Sequence, residues 1–208
     1  MAETTRVDFY ADPLCPWCWR TALWIRHVAK QRPVHVNWKL FSLMIANHPD
    51  EYKDEKYVPF FNLERVMLAA RRHGGNDAVE RLFMAMGEAL HGEAKRDEMG
   101  TKEGVQACLK AAGLPESLYD EALNDPSTET DLVAEHKQVH ERLAAFGVPT
   151  IALEGSDIGI FGPVIEPVPT GAEALELWEH THWMLRQPYL WEVKRERTVK
   201  LGAQHVFD

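Results

Sequence analysis

The chain is short of cysteine, of long apolar runs and of positive charge, and each shortage excludes something. Only three of its 208 residues are cysteine, Cys15, Cys18 and Cys108. That is too few, and an odd number, for the disulfide framework of a small secreted domain. The longest stretch without a formal charge, Leu143 to Leu153, is about half of the roughly 20 residues a bilayer span requires, so no transmembrane helix is expected. Lys and Arg number 23 against 32 Asp and Glu, a net charge of −9 at pH 7. A phosphate-binding surface needs net positive potential, so nucleic acid is disfavoured as a partner. Met1 to Arg6 contain Glu3 and no apolar signal segment, which with the sparse cysteines points to a reducing cytoplasm. What remains is ordinary: 45% hydrophobic and 26% charged residues, a globular composition able to bury a core without metal or disulfide.

Periodicity divides the chain into three parts. Arg6 to Tyr10 alternates apolar and polar residues as a half-buried strand does, and Asp12-Pro13-Leu14 breaks it. Helical spacing of Trp19, Leu23, Val28 and Ala29 predicts a helix from Pro16 to Gln31, ended before Pro33. Val34, Val36, Trp38 and Leu40 then alternate with polar residues as a second strand, so the segment reads as a right-handed βαβ unit with parallel strands. From about Asn47 to Gly147 only helices are expected, over Leu63–His73, Ala78–Glu93, Lys102–Ala112, Glu116–Asn124 and Glu129–Phe146. Gly74-Gly75, Gly100, Gly113-Leu114-Pro115 and Asp125-Pro126 supply the breaks. Gly147 is expected as the glycine closing the last of these helices. Beyond it, Thr150–Leu153 and Ile158–Phe161 form a predicted hairpin, and Thr170 to Glu173 has the pattern of a capping box opening a final helix. The fold class is therefore α/β: a βαβ…ββα core with a large all-helical insertion.

Chemistry concentrates at Cys15-Pro16-Trp17-Cys18, where the first strand hands over to the first helix. Cys15 falls at the N-cap, where helix dipole and free N–H groups favour a thiolate. Pro16 at N1 wastes no N–H. Cys18 lies one turn on, within the roughly 5 Å Cα separation that a disulfide bridges. The spacing predicts a redox pair, with Cys15 at the exposed end attacking and Cys18, partly covered, resolving. A structural zinc site would need two more ligands. Cys108 stands alone and reads as a small buried hydrophobe, while His136 and His140 read as an exposed helix face. The basic cluster Lys194, Arg195, Arg197 and Lys200, interleaved with Glu192 and Glu196, reads as a solvated face or interface.

Several segments together carry a family resemblance: Asp12 to Trp19, Ser42-Leu43 through Asn47, Ala85-Met86-Gly87 with His91, Val148 to Ile151, Phe161-Gly162-Pro163-Val164, and Glu192 to Thr198. On these the chain resembles the DsbA-like branch of the thioredoxin superfamily, and within it the actinobacterial mycothiol-dependent nitroreductases. Pro49–Phe61 and Val199–Asp208 depart from the pattern. The resemblance implies a thioredoxin-like core in residues 1–47 and 147–208 and a helical insertion domain in 48–146. It also implies a cytoplasmic thiol-disulfide oxidoreductase that draws electrons from mycothiol and reduces disulfides or nitro compounds, without flavin or metal. Cys15 would be the nucleophile, Cys18 the resolving thiol and Pro149 a cis-proline facing them; Trp17, Asn47, Tyr57, His91 and Val148 would line the substrate pocket. The implied partners are a low-molecular-weight thiol, a small-molecule or disulfide substrate and a mycoredoxin-type reductant, with no membrane, and with monomer and homodimer both open. One alternative is a thiol-dependent isomerase or transferase of the 2-hydroxychromene-2-carboxylate isomerase or kappa-class glutathione transferase type. The retained second thiol, Cys18, argues against it. Another is an interaction module carrying a vestigial cysteine pair.

Overall fold

The computed structural model describes residues 4–207, so the sequence reading of Met1 to Glu3 lies outside the described residues. A four-stranded sheet has the order β2-β1-β3-β4. Strand β1 (Thr5–Ala11) pairs in parallel with β2 (Val34–Leu40), from Thr5 opposite Val34 to Ala11 opposite Leu40. Helix α1 (Pro16–Ala29) crosses between them. Strand β3 (Thr150–Leu153) returns antiparallel on the other side of β1, and β4 (Gly159–Phe161) completes the hairpin around Gly155, whose φ of +76° suits the turn.

Flanked by strands on both sides, β1 is buried from Val7 to Ala11, not on one face only as its alternation predicts. Its polar positions are absorbed by partners from afar. Asn37 Nδ2 donates to Asp8 Oδ1 at 3.0 Å, and Arg142 Nη2 donates to the Tyr10 hydroxyl at 2.7 Å. Burial, and then the charge of Asp8, push the Tyr10 phenol up to about 12.

The helical block follows β2. A short helix α2 (Leu43–Asn47) is capped by Ser42, whose hydroxyl accepts from Ile45 N. Helix α3 (Val58–Gly87) is broken at the expected glycines, Gly75 adopting φ +67°, and runs on into a wider turn at Glu88–Gly92. Just past the kink, Asn76 accepts from Trp38 N at 2.7 Å and donates to Val36 O at 3.0 Å. One side-chain amide thereby satisfies the outer edge of β2, which an unpaired strand would leave open. Trp38 packs between Phe9 and Phe83, with ring centres 5.3 and 5.2 Å away. Helices α4 (Lys102–Ala111), α5 (Leu118–Asn124) and α6 (Pro126–Leu143) complete the block.

Local details correct three expectations. Helix α6 ends before Gly147: Ala144 takes the left-handed conformation at φ 49°, and His140 Nδ1 lies 3.0 Å from the Ala145 carbonyl at the reversal. His136 is not on an exposed face; its ring packs at a tilt against Phe41, 4.5 Å between ring centres, and burial lowers its pKa to about 4. Helix α7 (Gly171–Met184) starts after Thr170, but the Thr170 hydroxyl makes no cap bond. The Gly171 N–H donates instead to His27 Nε2 of α1, at 3.0 Å. Helices α1 and α7 also join through the Trp24 indole, which donates to Ala174 O at 3.0 Å. Among the described residues no helix is long and apolar enough to cross a membrane.

Candidate active site

Cys15 is the N-cap of α1, in extended conformation, and its sulfur accepts from Cys18 N at 3.2 Å. The Cys15 thiol points at Val148, 3.5 Å from that residue's carbonyl oxygen, and the Val148–Pro149 peptide is cis. Both cysteines are free thiols. Cys15 is only 5% exposed and Cys18 fully buried, so Cys15 is less open than its place at a helix end suggests.

The two thiols are electrostatically unequal. Donation from the Cys18 thiol lowers the Cys15 pKa, helped by the backbone N–H groups of Cys18 and Trp17 and opposed by burial. Burial pushes Cys18 well above the ordinary range, and its bond to Cys15 adds to the effect. A stabilised thiolate beside a thiol that holds its proton is the arrangement for sequential attack and release.

Beneath the pair lies an acidic cluster that the sequence reading missed. Asp12, fully buried, accepts from Leu14 N and Leu43 N, each at 2.7 Å, and so ties the cysteine loop to α2. Burial raises its pKa to about 6 against the pull of those two bonds. Glu64 of α3 is 1% exposed, and neither of its carboxyl oxygens has a hydrogen-bond partner among the described residues. Burial, and then the charge of Asp12, hold its pKa well above the usual carboxylate range. Its place was detectable: Phe61, Met67 and Leu68 at helical spacing put residue 64 on an apolar stripe.

An acid whose folded pKa is raised weakens the fold as pH climbs from the unfolded value through the folded one. Glu64→Gln, which imitates the protonated acid, should therefore melt several degrees above the wild type near pH 8. The difference should vanish toward pH 4.5, the ordinary glutamate value. Thermal melts at both pH values check this; a variant less stable at the higher pH would show that the carboxylate is held charged.

The remaining candidates differ in how they are tied to the cysteine loop. His91, on the wider turn after α3, donates from Nε2 to Pro13 O at 2.8 Å, and burial lowers its pKa. Trp17 is half-buried, and the guanidinium of Arg197, an exposed residue as its sequence context suggests, lies 5.4 Å from its ring centre. Tyr57 stacks on His48 at 3.9 Å, and Asn47 is exposed at the end of α2. Among the described residues neither Asn47 nor Tyr57 hydrogen-bonds to the cysteine loop; the link runs through Asp12 and Leu43. Cys108 is buried in α4 against Met99, as expected of a small hydrophobe.

A Cys-x-x-Cys at the N-terminus of the first helix of a βαβ…ββα sheet, facing a cis-proline, defines a thioredoxin-fold, DsbA-like thiol oxidoreductase. Solved structures share the fold. A probable DsbA oxidoreductase from Streptomyces coelicolor superposes with TM-score 0.60 at 19% identity, covering 96% of this chain and 98% of its own. The cytosolic disulfide reductase DsbM from Pseudomonas aeruginosa gives TM-score 0.59 at 16% identity, over 86% and 99%. The uncharacterized protein Rv2286c of Mycobacterium tuberculosis is 34% identical, over 97% of this chain and 88% of that protein. The chain belongs to the Rv2466c-like family, that of the mycothiol-dependent nitroreductase Rv2466c, whose model matches residues 14–195.

Proposed function

We propose that this chain is a cytoplasmic, mycothiol-dependent thiol-disulfide oxidoreductase that reduces disulfides or nitro compounds by cycling Cys15 and Cys18 between dithiol and disulfide. The single observation that carries the reading is the geometry of the cysteine pair, with Cys15 Sγ accepting from Cys18 N at 3.2 Å and lying 3.5 Å from the Val148 carbonyl, in a chain of this family. The Cys15 thiolate attacks one sulfur of a disulfide and expels the other as a thiolate. Cys18 then gives up its proton and attacks Cys15 Sγ, which frees the second thiolate and leaves a Cys15–Cys18 disulfide. With a nitro compound, the same two electrons and two protons convert the nitro group to nitroso and water. Two molecules of mycothiol restore the dithiol, the first by attack on Cys15 Sγ and the second by releasing mycothiol disulfide.

In this reading Trp17, Asn47, Tyr57, His91 and Val148 line the pocket, and Pro149 presents the Val148 carbonyl to Cys15. Residues 48–146 act as a helical unit beside a core of 1–47 and 147–208, held to the thiol loop by the bond between His91 and Pro13. A mycoredoxin-type protein is an additional reductant. The test couples the protein to mycothiol disulfide reductase and follows NADPH consumption with a nitroaromatic substrate. Consumption should require both mycothiol and this protein; a rate unchanged when mycothiol is left out would remove the thiol dependence.

A further inference from the structure

Among the described residues the segment after α7 has no regular structure, yet residues 202–206 are tied at several points to the active-site helix and to the turn that holds His91. The Trp19 indole donates to Gln204 O at 2.6 Å, and Arg20 Nη2 donates to Gly202 O at 2.8 Å. Gln204 N donates to His91 O at 2.9 Å, and Val206 N to Glu88 Oε2 at 2.8 Å. All these anchors lie on the first turns of α1 or on the turn that holds His91. They form a strap, and upstream of them the strap lays Arg197 over Trp17, the residue between Pro16 and Cys18.

Arg197 is placed there without a strong partner. Among the described residues no carboxylate lies within 4.0 Å of its guanidinium. A cation over a half-exposed ring gains roughly 0.5–1 kcal/mol, little enough for a ligand to compete for it. Its planar fork matches a carboxylate. A second cation, Arg96, lies 5.0 Å from the Phe60 ring centre, and its charge is felt at both Asp12 and His91. In a chain of net charge −9, a cation over the residue between the two cysteines and a second one felt at Asp12 and His91 stand out against a surface that repels anions.

We propose that Arg197 is a substrate-binding residue, delivered to the site by the C-terminal strap, that recognises a carboxylate on a disulfide substrate close to the bond Cys15 attacks. This rests on the thiol-disulfide reading above and adds the charge class of the substrate. The chemistry is the exchange already written: one disulfide and the dithiol give two substrate thiols and the Cys15–Cys18 disulfide.

The test uses the reduced full-length protein in stopped-flow with two aryl disulfides, the dianionic 5,5′-dithiobis(2-nitrobenzoate) and the neutral 2,2′-dithiodipyridine. The quantity read is the ratio of their second-order rate constants. Arg197→Ala should lower that ratio about tenfold or more, the loss expected for one charge-assisted hydrogen bond. Arg197→Glu should lower it further and Arg197→Lys should restore part of it. Lys200→Ala, a charge removed from the same segment, should leave it unchanged. Added salt should lower the wild-type ratio toward that of Arg197→Ala, because it screens an attraction that only the wild type has. An unchanged ratio in Arg197→Ala overturns the proposal: with both rates lowered equally the strap is purely structural, and with neither lowered the cation binds nothing. Wild-type protein that reduces neither probe would instead overturn the thiol-disulfide reading itself, and the proposal with it.

Discussion

Cys15→Ser should abolish turnover, a loss on the order of a thousandfold or more, as removal of a nucleophile does. Cys18→Ser should still accept the first substrate or mycothiol and hold it. The asymmetry follows from the site. Only Cys15 collects the donors that stabilise a thiolate, namely the Cys18 thiol and the backbone N–H groups at the start of α1. Cys18 is buried, keeps its proton, and attacks only a sulfur already bonded to Cys15. Intact-protein mass spectrometry after exposure to oxidised mycothiol separates the two variants. The adduct should appear on Cys18→Ser and be absent from Cys15→Ser. The opposite pattern would exchange the two roles, and full activity in both variants would end the redox reading.

Gly87→Ala should destabilise the protein strongly, although alanine is the better helix former by about 1 kcal/mol. The end of α3 lies flush on the buried Trp19 ring, and a Cβ at position 87 would sit 2.2 Å from Cε3 and 2.4 Å from Cζ3. Trp19 has no room to retreat: it is fully buried, and its indole N–H is bonded to Gln204 O. Overpacking a close-packed core costs about 1–3 kcal/mol, and this overlap belongs at the upper end. After the gain in helix propensity a net loss of about 2 kcal/mol remains. For a chain of this size that lowers Tm by roughly 4–8 °C. The same substitution should disturb the strap, because Trp19 is one of its anchors. A circular dichroism melt checks the stability, and faster proteolysis after Arg195 or Arg197 checks the strap. A Tm equal to or above that of the wild type would show that the ring can move aside.

The local features of this protein were legible in its residues. Alternation in β2, the helical spacing after Pro16, the glycine pair inside α3 and the hairpin turn at Gly155 each depend on neighbours a few positions apart. So does the placement of Cys15 at the N-cap, which follows from a proline at N1 and one helical turn to Cys18. Tertiary structure alone decided what those elements face. β1 is an inner strand because β3 returns along its free edge, and Arg142 reaches over its polar residues Asp8 and Tyr10. The Gly171 N–H is satisfied by His27 of another helix rather than by the threonine next to it. Glu64 lies on an apolar stripe that periodicity reveals, but only the approach of α3 to the cysteine loop brings it within the field of Asp12. Arg197, read along the chain, is one charge among alternating charges; the strap's bonds to Trp19, Arg20 and His91 carry it to Trp17. The physical reason is the same each time. Periodicity records which side of an element must leave water, whereas the partner that side meets is chosen by many weak contacts between distant segments.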